Sequence, residues 1–233
     1  KAERPALILG EGALLRSDGP AIQALISKII EKYGFVSDNW NGYNFLHRAA
    51  SRVGALDIGF TSKEGFNTSE MGVLYLLGAD DIDFAPIPES AFVIYQGHHG
   101  DVGAHRADVI LPGAAYTEKE GLYVNTEGRV QRGTMAVNPP GEAREDWKII
   151  RALSGALGQP LPYDTFLQLR GRINGEWEHL AHIDVARSEK WAKISSKDKP
   201  LADNFEPLYQ NYYQTNAIAR ASVTMAKCVS AFT

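Results

Sequence analysis

Val73-Leu74-Tyr75-Leu76-Leu77-Gly78, Phe92-Val93-Ile94-Tyr95-Gln96-Gly97 and Val109-Ile110-Leu111-Pro112-Gly113 are three short apolar runs, each closed by a glycine within two residues. Such runs, without polar alternation, mark strands buried on both faces, as in parallel sheets. Ala6-Leu7-Ile8-Leu9 before Gly10 is a fourth. Together the four predict one parallel sheet. Between the Ala6–Leu9 and Val73–Leu77 runs, Pro20 sits where an initial helical turn tolerates it, and Ile22, Leu25, Ile26, Ile29, Ile30 and Tyr33 follow at helix spacing before Gly34. Leu46, Ala49, Ala50, Val53 and Leu56 repeat that spacing, with Arg48 and Arg52 placed toward water. Strands alternating with helices in this way predict a doubly wound α/β fold with a mostly parallel sheet and flanking helices.

Beyond the Val109–Leu111 run the pattern changes. Leu122–Asn125 and Arg129–Gln131 flank Thr126-Glu127-Gly128, which predicts a β-hairpin. Glu142, Glu145 and Asp146 gather at the start of a helix carrying Trp147, Ile150, Leu153 and Leu157, which Gly158 and Pro160 end. A further helix is expected over Tyr163–Ile173. Residues 175–204 are polar and rich in Lys and Ser, the texture of a surface excursion or linker. The last segment regains order: Phe205, Leu208, Tyr209, Tyr212 and Tyr213 precede a helix with Ile218, Ala221, Met225, Val229 and Phe232 on one face. The expected organisation is an α/β domain over 1–174, the excursion over 175–204 and a C-terminal docking tail over 205–233.

A net charge of -4 leaves no basic footprint for nucleic acid. The longest apolar runs fall far short of the roughly 20 residues a membrane-spanning helix needs. One cysteine, Cys228, excludes an intrachain disulfide and cannot supply the four thiolates of an iron-sulfur cluster. The chain opens at Lys1 without Met, which reads as a processed product, a fragment, or part of something longer.

His98, His99, His105 and Asp101 cluster within eight residues, yet adjacent side chains diverge in extended chain and no HExxH or CxxC spacing accompanies them. They read as loop residues bonding backbone or water. Gly97–Gly103 directly follows a strand, where such sheets hold ligands, and its glycines either bring backbone N–H groups to a phosphate or simply turn the chain. No P-loop or complete GxGxxG signature occurs. Glu118 and Glu120 flank Lys119 in what reads as a solvated turn, Asp80, Asp81 and Asp83 lack the spacing of a calcium loop, and no serine sits in a GxSxG elbow. No catalytic, cofactor-binding or metal-binding residue is assigned.

Residues 95–132, YQGHHGDVGAHRADVILPGAAYTEKEGLYVNTEGRVQR, followed by PPGEAREDWKIIRAL, resemble the late part of the molybdopterin-oxidoreductase family. YQGHHGDVGA, LPYDT and the terminal stretch Ala219–Cys228 are similar, more narrowly, to the large (75-kDa-type) iron-sulfur subunits of respiratory complex I in their mitochondrial form. This resemblance covers nearly the whole chain and weakens between Gly175 and Pro200. It implies a scaffold in the hydrophilic arm, on the matrix side of the mitochondrial inner membrane, part of an NADH:ubiquinone oxidoreductase but without a catalytic residue of its own. No cofactor is then expected here. The clusters would lie on the N-terminal part of the same subunit or on another chain, and the partners would be that part and other arm subunits. Two other classes stay open: a fragment of an active molybdopterin enzyme, with the loops after Gly10, Gly78 and Gly97 holding the nucleotide halves of the cofactor, and a free-standing α/β nucleotide-binding protein.

Overall fold

The computed structural model describes residues 2–61, 67–186, 191–209 and 211–232. Residues 187–190 of the expected excursion, and 210 and 233 of the expected tail, lie outside them. In chain order the strands are β1 (Leu7–Gly10), β2 (Val36–Ser37), β3 (Trp40–Asn41), β4 (Tyr43–Leu46), β5 (Val73–Leu77), β6 (Phe92–Gly97), β7 (Val109–Pro112), β8 (Gly121–Val124) and β9 (Val130–Gly133). The α-helices are α1 (Gly19–Tyr33), α2 (Arg52–Asp57), α3 (Val102–Arg106), α4 (Asp146–Ala156), α5 (Phe166–Glu176), α6 (Ala217–Arg220) and α7 (Val223–Phe232). The fold is α/β, with parallel pairings, antiparallel hairpins and helices beside them.

Two compact units are interleaved along the chain. One comprises residues 1–60, 122–131 and 182–210, the other 61–121, 132–181 and 211–233.

In the first unit β1 pairs in parallel with β4, Leu7 opposite Tyr43 and Gly10 opposite Leu46. The single four-stranded sheet is therefore corrected: β1 belongs to a separate two-stranded sheet. Leu46 ends a strand rather than opening a helix, and α2 begins only at Arg52, after Ser51 turns the chain at φ 59. Helix α1 is as expected at its ends, with Gly34 at φ 67 donating to Ile30 O. Its buried stripe is Ala21, Ala24, Ser27 and Ile30, whereas Leu25 and Tyr33 are exposed. The small side chains suit close approach by residues 191–204. Ile194 N donates to Ser27 Oγ at 3.2 Å, Lys193 pairs with Glu31 at 2.9 Å, and Leu201 N donates to Asp18 Oδ2 at 2.7 Å. The polar texture of that excursion thus serves hydrogen bonding along a helix.

Arg16 also pairs with Asp18 at 2.8 Å, caps the carbonyls of Asp203 and Asn204, and lies 4.7 Å from the Phe205 ring. Chiefly this Arg16 hydrogen bond, then the Leu201 amide, holds the Asp18 carboxyl at about 2, below the ordinary carboxylate value near ~3.9. A depressed pKa contributes stability that is fully present above the unfolded value and lost as pH falls toward the folded one. Asp18→Asn should therefore destabilise residues 191–205 at pH 7 and remove part of the stability loss between about pH 4 and pH 2. Acid titration of hydrogen exchange in that segment checks this.

In the second unit β5, β6 and β7 form a parallel sheet, as the three apolar runs predict. Leu74 and Leu76 stand opposite Val93 and Tyr95 on one face and pack with Ile87 and Ala91 into the core. The hairpin of β8 and β9 falls where expected, turning at Gly128 with φ 78. Helix α4 starts at Asp146, with Glu145 as its N-cap, and α5 opens with a reciprocal cap between Thr165 and Gln168. The expected C-terminal helix is two, α6 and α7, broken at Ala221, and no residue of either is buried. The expected tail is also shared: Arg16 faces Phe205 in the first unit, whereas 211–232 belong to the second.

Candidate functional site

The carboxyl ends of β5, β6 and β7 are where a parallel sheet presents its loops to a ligand. Asp80, after β5, is buried, and its Oδ1 accepts from the backbone N–H of Asp101 at 3.0 Å and of Gly103 at 2.8 Å. Gly103 is required: an added Cβ would lie 2.9 Å from Asp80 Oδ1 and 3.1 Å from Leu76. The remaining oxygen of Asp80 meets the Arg220 guanidinium at 3.3 Å, which also pairs with Asp81 at 2.7 Å and Asp101 at 3.1 Å. Two of the loop's N–H groups are thus taken by a carboxylate of the chain itself.

A second polar group is built on the sheet face opposite the core. Gln96 is fully buried, accepts from the Tyr75 hydroxyl, and donates Nε2 to Asp146 Oδ1 at 2.8 Å. Lys119 pairs with the other oxygen of Asp146, the first residue of α4, where the helix dipole favours an anion. Burial, and next the charge of Asp146, pushes the Tyr75 hydroxyl above its ordinary range. Each of these polar groups is paired within the network. That arrangement orders the sheet edge rather than poising an acid or base.

His98 and His99 meet instead of diverging as expected of neighbours in extended chain, whereas His105 turns to a backbone carbonyl. His98 Nδ1 and His99 Nδ1 are 2.8 Å apart, so one donates to the other, while His105 Nδ1 bonds Asp101 O at 2.6 Å. Burial, followed by the charges of His99 and Lys119, lowers the His98 pKa. Among the described residues no group of three or more His, Cys, Asp or Glu has metal-site geometry. Glu118 accepts from Ala115 N at 2.9 Å, Glu120 pairs with Arg132 at 2.9 Å, and Asp83 accepts from Ala85 N at 2.9 Å. Cys228 lies half-buried on α7.

In the first unit, the loop after β1 is tied to Arg48 through Glu11. Glu11 accepts from Arg48 N at 2.8 Å and pairs with its guanidinium at 3.3 Å. A cavity of about 580 Å³ in that unit is lined by Asp38, Trp40, Asp57, Thr126 and Glu127 among others, with no lysine or arginine. Ser51 holds β8, its Oγ donating to Leu122 O and accepting from Val124 N at 3.1 Å. In the loop after Gly97, the Asp101 and Gly103 N–H groups are bonded by Asp80 and are not offered to the pyrophosphate that the nucleotide halves of a pterin cofactor would bring.

The sequence spacing of Asp80, Asp81 and Asp101 does not point to their shared partner, Arg220. Arg220 and Gln96 went unassigned, and the only available signal for Arg220 was its place in the terminal stretch that carries the family resemblance.

The parallel sheet with its hairpins and flanking helices defines a protein of the α/β class. Residues 1–156 match the model of the molybdopterin oxidoreductase family, and residues 182–228 match a family model for the C-terminal region of an NADH-ubiquinone oxidoreductase subunit. The chain belongs to the molybdopterin oxidoreductase family. It is 50% identical over 243 residues to the NADH-ubiquinone oxidoreductase 78 kDa subunit, mitochondrial, of Candida albicans, covering 100% of this chain and 34% of that relative. It is 46% identical over 241 residues to the NADH-ubiquinone oxidoreductase 75 kDa subunit of Reclinomonas americana, covering 100% of this chain and 35% of the relative. With a subunit of the NADH-quinone oxidoreductase of Rickettsia bellii it shares 45% identity over 230 residues, 99% of this chain and 34% of the relative. The chain spans about a third of the length of these curated relatives.

Proposed function

We propose that this chain is the C-terminal, non-catalytic part of the large iron-sulfur subunit of respiratory complex I, in the hydrophilic arm on the matrix side of the mitochondrial inner membrane. It supports NADH-to-ubiquinone electron transfer carried by clusters on the preceding part of the same polypeptide or on other chains, and holds neither cluster nor pterin itself. The observation that carries this reading is identity of 45 to 50% along the whole chain to subunits named for NADH oxidation by a quinone. Support comes from the loop after β6, two of whose N–H groups are already bonded to Asp80, and from the single cysteine, too few for a cluster. Its partners are the cluster-bearing part of the same polypeptide and other arm subunits. Among the described residues no helix is long and apolar enough to cross a membrane.

The test is a full-length subunit truncated before Lys1 in an otherwise intact complex. The expected result is failure to assemble, with cluster signals retained in the residual subunit. Normal assembly and normal NADH oxidation without this region would overturn the structural role.

A further inference from the structure

We propose that residues 211–232 form a strap latched to the sheet edge by one guanidinium, Arg220, seated in a socket of three carboxylates, Asp80, Asp81 and Asp101. The socket is prepared independently of the strap, because Asp80 Oδ1 is fixed by the Asp101 and Gly103 amides while only Oδ2 faces Arg220. Arg220 fills it with its planar fork: Nη2 lies on Asp80, Nη1 on Asp81 and Nε on Asp101, at 3.3, 2.7 and 3.1 Å. A guanidinium is suited to such divided pairing, where an ammonium could satisfy fewer partners at once. The side chain of Asp80 is only 3% exposed, so this contact is weakly screened by salt.

Apolar burial holds the strap far less. No residue of α6 or α7 is buried, and Tyr212, Val223 and Phe232 are 82%, 71% and 74% exposed. The core cluster around Val93 includes no strap residue. Much of the strap's packing is internal, with Tyr213 and Phe232 6.0 Å apart between ring centres. A segment attached chiefly through one ionic socket can detach without melting the sheet that carries the socket. The strap is thus a releasable element of an otherwise fixed scaffold.

The test is hydrogen exchange of the full-length subunit in the assembled complex, comparing wild type with Arg220→Ala and Asp81→Asn. With Arg220→Ala, amides of residues 217–232 should exchange at least about tenfold faster, as expected on losing charge-assisted hydrogen bonds. Exchange in 73–77 and 92–97 should stay within about twofold of wild type. Methylguanidinium chloride should restore strap protection in Arg220→Ala, and sodium chloride at equal ionic strength should not. Asp81 is 73% exposed, so Asp81→Asn leaves the fold intact and should loosen the strap partially even if Arg220→Ala fails to accumulate. Unchanged strap exchange in either variant, equal loosening of sheet and strap, or rescue by sodium chloride would overturn the latch.

Discussion

Gly42→Ala should destabilise the first unit by at least about 3 kcal/mol, a sum of overpacking and lost backbone hydrogen bonds. Gly42 lies between β3 and β4, where three stretches of backbone meet. Its carbonyl accepts from Leu7 N at 2.7 Å, its N–H donates to Phe35 O at 2.7 Å, and Trp40 Nε1 reaches Pro5 O at 2.8 Å beside it. An alanine Cβ would overlap Pro5 O and stand 2.6 Å from Trp40 Nε1 and 2.9 Å from Phe35 O. Two of those three neighbours are backbone and cannot swing aside. The β1–β4 pairing should therefore open, and protease sensitivity across residues 5–46 of the full-length polypeptide measures it. Wild-type resistance in Gly42→Ala would mean that the chain relaxes around the methyl group at little cost.

Tyr95→Ala should cost the second unit about 3 to 5 kcal/mol, the range for deleting a buried aromatic side chain. Tyr95 is 3% exposed, faces Leu76 across the parallel register, and belongs to the core cluster. Its hydroxyl donates to His99 O at 3.1 Å, tying the loop that bears the carboxylate socket to the sheet beneath it. Tyr95→Phe separates the two contributions: the ring remains and one hydrogen bond is lost, so about 1 kcal/mol is expected. Opening free energies from exchange in residues 92–97 provide the comparison. Equal losses in both variants would place the energy in the hydroxyl instead of the packing.

These two residues mark the limits of reading the chain in one dimension. Tyr95 falls inside an apolar run closed by glycine, and that pattern alone located β5, β6 and β7. Gly42 lies in Asn41-Gly42-Tyr43-Asn44, too polar to read as a strand boundary. Strand β4 was missed for the same reason, and Leu46, its last residue, instead aligned at helical spacing with Ala49, Ala50, Val53 and Leu56. Likewise Ile218, Met225 and Phe232 suit one helical stripe, but the Ser222 amide bonds back to Ala219 O and the chain breaks before α7. Local spacing cannot report which turn closes early.

The polar sites were less legible because their members are remote in sequence. Gln96 meets Asp146 across 50 positions, and Asp80 meets Arg220 across 140. Asp146 was read correctly as an acidic group at a helix start, but its pairing with buried Gln96 and with Lys119 belongs to tertiary packing. The glycines of Gly97–Gly103 admitted both a turn and a phosphate cradle. Geometry favours the turn, since Asp80 already occupies two of the loop's N–H groups. What the motifs carried by resemblance was the family, which no count of strands or charges could have supplied.

The most direct measurement is purification of the full-length polypeptide at native abundance, followed through successive columns with NADH:ubiquinone oxidoreductase activity and with molybdenum and tungsten content. The expected result is co-elution of the polypeptide with that activity in a large assembly, with both metals far below one atom per polypeptide. Separation of the polypeptide from NADH oxidation, or stoichiometric molybdenum or tungsten travelling with it, would contradict the structural role and favour an active pterin-dependent oxidoreductase.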